Sequence, residues 1–132
     1  MKTTELQGIT SDLAEKLAGQ GLETSDQLLA AVAQPQDRAE LAKKLGVDAR
    51  TLLELGNRAD LARIKGVGRV YSDLLEYAGV DTCVELSRRN PDNLYAKLKE
   101  VGDTHQVQRL PRLEDVQSWV EQAKAADRAI FY

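Results

Sequence analysis

Apolar residues along this chain recur every three or four positions in short runs, broken by glycine, proline and polar clusters, and nowhere hold the two-residue alternation of a strand. Leu52, Leu55 and Ala59 form one such stripe, and Val116, Trp119, Val120 and Ala123 form another. The punctuation predicts where each helix starts and stops. A first helix is expected from about Ser11 to Gln20 and again from Arg69 to Ala78, closed by Gly21 and Gly79, which suit a left-handed cap. The next opens on Thr24-Ser25-Asp26-Gln27 or Thr82-Cys83-Val84-Glu85, where cap and third residue can satisfy each other's backbone donors. A third begins near Pro35 or Pro91, the latter capped by Asn90, and is expected to end before Gly46 or Gly102. A fourth spans roughly Ala49 to Ala62 and Leu113 to Ala126. The fold class this predicts is all-α, with about eight short helices joined by tight turns.

The two sets of helices are one pattern written twice. Leu6 to Leu28 aligns without gaps on Ile64 to Leu86 at a shift of 58, bringing Gly8 onto Gly66, Leu17 onto Leu75, Gly21 onto Gly79 and Thr24 onto Thr82. The shift becomes 56 at Pro35 and Pro91, and 64 where Leu55 meets Trp119. The second copy therefore carries eight extra residues between Gly102 and Leu113, a polar stretch that reads as a longer loop. A single compact domain is expected, with repeats at about 5–62 and 63–126 around one core and an apolar tail after them.

Composition narrows the function classes. The 132 residues carry 18 Lys plus Arg against 21 Asp plus Glu, a formal charge of −3, so any contact with a polyanion must come from a local patch. One Cys and one His exclude an internal disulfide and a four-ligand zinc site, and no other metal or cofactor is expected. No apolar run approaches the roughly 20 residues of a membrane helix, and the first residues lack a signal-peptide segment, so a cytoplasmic protein without membrane insertion is expected. There is no nucleophile elbow, no phosphate-binding loop of the Gly-x4-Gly-Lys-Ser/Thr form and no carboxylate or His/Cys cluster, so the chain is read as non-enzymatic.

The segment Ile64-Lys65-Gly66-Val67-Gly68, followed by Leu74-Leu75 and Gly79-Val80, resembles the helix-hairpin-helix motif, in which a Gly-hydrophobic-Gly turn joins two crossed helices. The first copy, Leu6-Gln7-Gly8-Ile9-Thr10, keeps the first glycine and the apolar residue but has Thr10 for the second glycine. With both copies counted, the chain resembles an uncharacterised bacterial family of tandem helix-hairpin-helix domains. In many helix-hairpin-helix proteins this turn grips DNA phosphates without reading bases, which the resemblance implies for Gly66, Val67 and Gly68. Arg63, Lys65 and Arg69 flank the turn, and residues 58–70 carry four basic side chains against Asp60. The bland alternative is that both turns only connect helices, with Ile9 and Val67 as buried plugs.

Other residues sort between core and surface. Arg109 and Arg112, with Arg88, Arg89, Lys97 and Lys99, read as a solvated basic scatter, and His105 as a surface residue. Trp119 and Tyr71 match Leu55 and Leu13 and read as core, while Tyr77 matches Gly19 and is expected on the outside, open to a partner. Ile130, Phe131 and Tyr132 end the chain on an apolar note that either folds back over the fourth helix of the second copy or packs on another chain. The preferred expectation is a helical adaptor or scaffold that binds a protein partner through Tyr77 and the tail. The alternative is a sequence-independent DNA-backbone binder using Arg63, Lys65, Gly66, Val67, Gly68 and Arg69.

Overall fold

A computed structural model describes all 132 residues. Its eight helices are α1 (Ser11–Ala18), α2 (Ser25–Val32), α3 (Pro35–Leu45), α4 (Ala49–Leu61), α5 (Arg69–Tyr77), α6 (Cys83–Ser87), α7 (Pro91–Thr104) and α8 (Leu113–Ala125), with one 3-10 turn at Thr3–Glu5 and no strand. The fold is all-α. The chain divides into two compact units, Met1–Arg63 with Arg128–Tyr132, and Ile64–Asp127, so each holds four helices.

The local signals act as their chemistry dictates. Gly21 and Gly79 take φ of 77° and 88°, where a Cβ would be strained, and α1 stops at Ala18, two residues short of the expected end. Thr24 and Gln27 form the full capping box at the start of α2. Thr82 also accepts from Glu85 N–H at 3.2 Å, but the Glu85 carboxylate bonds Arg89 rather than returning to the cap. Proline opens α3 and α7, and the Asn90 side chain caps the latter.

In the first unit α4 packs against α2 and α3. Its core gathers Leu13, Leu17, Leu28, Val32, Leu52, Leu55 and Ala59. In the second unit α8 packs against α6 and α7, and α5 against α7, burying Leu74, Leu75, Leu86, Leu98, Val116 and Trp119. The stripes read from the sequence on α4 and α8 are those interiors. Burying one such side chain contributes about 1.5–3 kcal/mol, which outweighs the weak helix propensity of segments only two or three turns long.

Two expectations are corrected. Helix α7 does not stop before Gly102 but runs through it to Thr104. A Cβ on Gly102 would run into the Leu110 side chain, so glycine is kept there for packing, not for termination. The helix ends instead on Gln106, left-handed at φ 56°, with Val107 N–H bonded to Gly102 O at 2.9 Å. In the first unit Gly46, at φ 70°, fills that role, with Val47 N–H on Ala42 O at 3.0 Å. About half of the insertion thus lengthens a helix by a turn, and the rest widens the loop to α8.

The tail likewise does not lie over the second copy's fourth helix. It belongs to the first unit. Ile130 is 1% exposed, and a Cβ on Gly56 of α4 would stand 2.8 Å from both Ile130 Cδ1 and Val32 Cγ2. Phe131 N–H donates to Ala33 O at 2.8 Å, and the buried Arg38 guanidinium donates to both Val32 O and Phe131 O at 3.0 and 2.9 Å. A missing side chain on α4 makes the seat, and an arginine latches what sits in it.

Candidate anion-binding site

The turn before α5 is fixed from three directions. Gly66 has φ 96°, an angle that strains any side chain, and a Cβ there would also lie tight against Trp119 Nε1 at 3.1 Å. Val67, buried as a plug, donates its N–H to Ile64 O at 3.1 Å. The Gln122 side chain of α8 clamps Lys65 at both backbone groups, accepting from its N–H at 2.8 Å and donating to its carbonyl at 3.1 Å. The first unit builds the same turn at Gly8, φ 87°, with Ile9 N–H on Leu6 O at 3.3 Å, though Ile9 is only partly buried.

The second glycine has a different meaning from the first. Gly68 sits at φ −95° and ψ −163°, extended backbone open to any residue, and nothing lies within 4 Å of where its Cβ would be. It caps α5 without a side chain, whereas Thr10 at the same place in the first unit accepts from Leu13 N–H at 3.1 Å. Glycine here leaves the first-turn amides of α5 without a side-chain acceptor, at the positive end of the helix dipole.

The widened loop closes on this turn. Leu110 packs over Gly102 and Pro111 is buried, which holds Arg109 and Arg112 on either side of the pair. Arg112 N–H donates to Asp115 Oδ2 at 2.9 Å, so the loop enters α8 at a fixed angle. Lys65, Gly66, Arg109, Arg112, Tyr71 and Trp119 then line one hollow of about 410 Å³, with Asp115 its one acidic wall. None of the three cationic side chains is held in an ion pair, whereas Arg63, Arg89 and Lys97 are. A concave surface with three unneutralised cations against one carboxylate concentrates small anions locally, although the unit as a whole carries nine Lys and Arg against eleven Asp and Glu.

A second hollow of about 530 Å³ adjoins it, lined by Val70, Tyr71, His105, Val107, Gln108 and Arg109. Tyr71 and Arg109 are common to both. The Tyr71 ring leans on Trp119 with centroids 5.3 Å apart, and His105 stacks on Tyr77 at 3.8 Å with the rings within 7° of parallel.

Of the residues singled out in the sequence, Lys65 and Gly66 line the first hollow, Gly68 opens the α5 amides, Val67 is interior and Arg69 is exposed. Arg63 is committed to a 2.7 Å ion pair with the buried Asp60. Tyr77 and Tyr132 are exposed, and Phe131 lies just at the surface. Ile130 is withdrawn from any partner by its seat on Gly56, correcting its expected place on an accessible tail. Sequence reading missed Arg109, Arg112 and Tyr71. The signal available for the two arginines was the insertion itself, with Leu-Pro between them.

No three or more His, Cys, Asp or Glu side chains gather as a metal site. No helix is long and apolar enough to cross a membrane. The molecule is therefore an all-helical protein of two four-helix units, with a cationic hollow built on one of them. It belongs to the family described as domain of unknown function DUF4332, whose model matches residues 7–126. No curated protein and no solved structure matches the chain.

Proposed function

We propose that this chain is a sequence-independent nucleic-acid-binding module of the tandem helix-hairpin-helix kind, in which the second unit's turn and loop grip phosphates. The observation that carries the reading is the convergence of Lys65, Arg109 and Arg112, all without ion pairs, on the glycine turn. Phosphate contacts of this kind position a protein on nucleic acid without reading bases. The absence of a side-chain cap on α5 supports it, since open amides at a helix start favour phosphate oxygens.

Fluorescence anisotropy with a labelled duplex, from low to physiological salt, tests this. Neutralising about three phosphates gives a log–log salt slope near −2.7. Binding at low salt that disappears on Lys65→Glu with Arg109→Glu and Arg112→Glu is the expected result. A wild-type chain silent at low salt refutes the reading.

A protein-binding adaptor is the second reading. It is favoured by Val70 and Tyr77, 59% and 49% exposed on α5, and by Tyr132 at 64% on the docked tail. Docking of Ile130 removes one of the reasons for it.

A further inference from the structure

We infer that the two adjoining hollows of the second unit form one site for a nucleotide bearing a terminal phosphate, taken from the end of a nucleic-acid strand or free in solution. This rests on the phosphate-binding reading and goes beyond it. An internal stretch of duplex backbone offers only phosphodiesters, which the cationic hollow alone can take, and leaves the apolar hollow beside it unused. Here the cationic hollow, about 410 Å³, shares Tyr71 and Arg109 with an apolar one of about 530 Å³, each of a size to take a small ligand at the surface.

The chemistry divides between them. Lys65 and Arg112 stand only in the first, where the double charge of a phosphomonoester finds more compensation than a diester needs. Val70 and Val107 stand only in the second, with the Tyr71 ring at its edge, an apolar lining against which a base can be buried, while His105 already stacks on Tyr77. Tyr71 and Arg109 lie on the boundary and can touch both halves of a ligand that spans it. The Gln106 and Gln108 amides at the apolar recess supply hydrogen-bonding groups for a base edge. Gln106 is also the one non-glycine residue with a positive φ, at 56°, in a position where the first unit uses Gly46. Backbone strain kept at a cavity wall accords with a ligand-facing role.

Trp119 is the chain's single tryptophan and lines the cationic recess, so its fluorescence reports occupancy directly. The probes are adenosine 5′-monophosphate, adenosine, inorganic phosphate, and a 12-nucleotide single strand with or without a 5′-phosphate. The site expected here binds the monophosphate at least tenfold tighter than adenosine or phosphate alone, and the phosphorylated strand at least tenfold tighter than its hydroxyl counterpart. Equal affinity for the free nucleotide and the phosphorylated strand assigns the free nucleotide as source, and a further gain with the strand assigns its end. Val70→Ser, a neutral change at an exposed position, should lower affinity for the monophosphate toward that of phosphate alone while leaving phosphate binding unchanged, with unchanged circular dichroism. Equal binding of phosphorylated and unphosphorylated strands, with no response to the monophosphate, overturns the inference while leaving backbone binding intact. Silence toward all of these and toward duplex at low salt ends both.

Discussion

On α4 the first unit has Gly56, and at the matching point of α8 the second has Val120. Val120 is itself buried, whereas the space over Gly56 is filled by Ile130 from the end of the chain. A similar exchange occurs on α3 and α7, where Arg38 matches Leu94. Leu94 packs as a core residue, while Arg38 spends its guanidinium on two carbonyls, one of them in the tail. Positions that align in the sequence are thus filled in two different ways. The first unit receives a distant segment where its own side chains are small or polar, and the second fills its core from its own helices and has extra residues in a loop that walls a hollow.

The largest effect expected from breaking this comparison is at Ile130. Ile130→Ala removes a fully buried side chain and should cost about 2–5 kcal/mol in urea unfolding. Gly56→Val, which copies the second unit, should alone cost about 1–3 kcal/mol, because its side chain meets Ile130 and Val32. Combined with Ile130→Ala it should cost little or recover stability, giving a coupling of about 1–3 kcal/mol. Strict additivity of the two would mean that the tail does not complete the core through Gly56.

The next effect has the opposite sign. Gly68→Thr gives α5 the cap that Thr10 gives α1, at a position where the backbone is extended and the space open. It should stabilise the protein by a few tenths to about 1 kcal/mol. The same hydroxyl occupies an amide that the proposed function leaves for phosphate, so duplex affinity at low salt should fall several-fold. A variant both more stable and equally tight in binding would show that the α5 start takes no part.

What was legible in the sequence follows from how far each signal had to reach. The Thr24–Gln27 box, Asn90 before Pro91, and the turns at Gly21 and Gly79 act within a few residues, and the pattern contains everything they need. The stripes on α4 and α8 are likewise periodic and local. Gly102 misled because it aligns with Gly46 and carries the same residue, while its reason for being glycine is Leu110, eight positions on across a loop. Arg109 and Arg112 read as solvated because Lys65 lies more than 40 residues away, and only the folded unit joins them. The destination of Ile130 was least accessible, since it depends on an absent side chain at Gly56, which no hydrophobic pattern marks.

The smallest effect bears on the insertion. Gln106 ends α7 in the conformation that Gly46 takes at the end of α3, with the same hydrogen bond from the following valine to the helix. A side chain in that region costs about 1–2 kcal/mol, while glycine loses about 0.5–1 kcal/mol through its freer unfolded chain. Gln106→Gly should therefore stabilise the second unit by a few tenths of a kcal/mol up to about 1, read as a small rise in the urea midpoint with the slope unchanged. The reciprocal change, Gly46→Gln, should destabilise by a similar amount. If the site on this loop uses the glutamine, Gln106→Gly gains stability and loses affinity for adenosine 5′-monophosphate together, the pattern expected where strain is retained for a ligand. A gain in stability with affinity unchanged would make Gln106 only an imperfect cap, and the two helix ends would differ in residue but not in purpose.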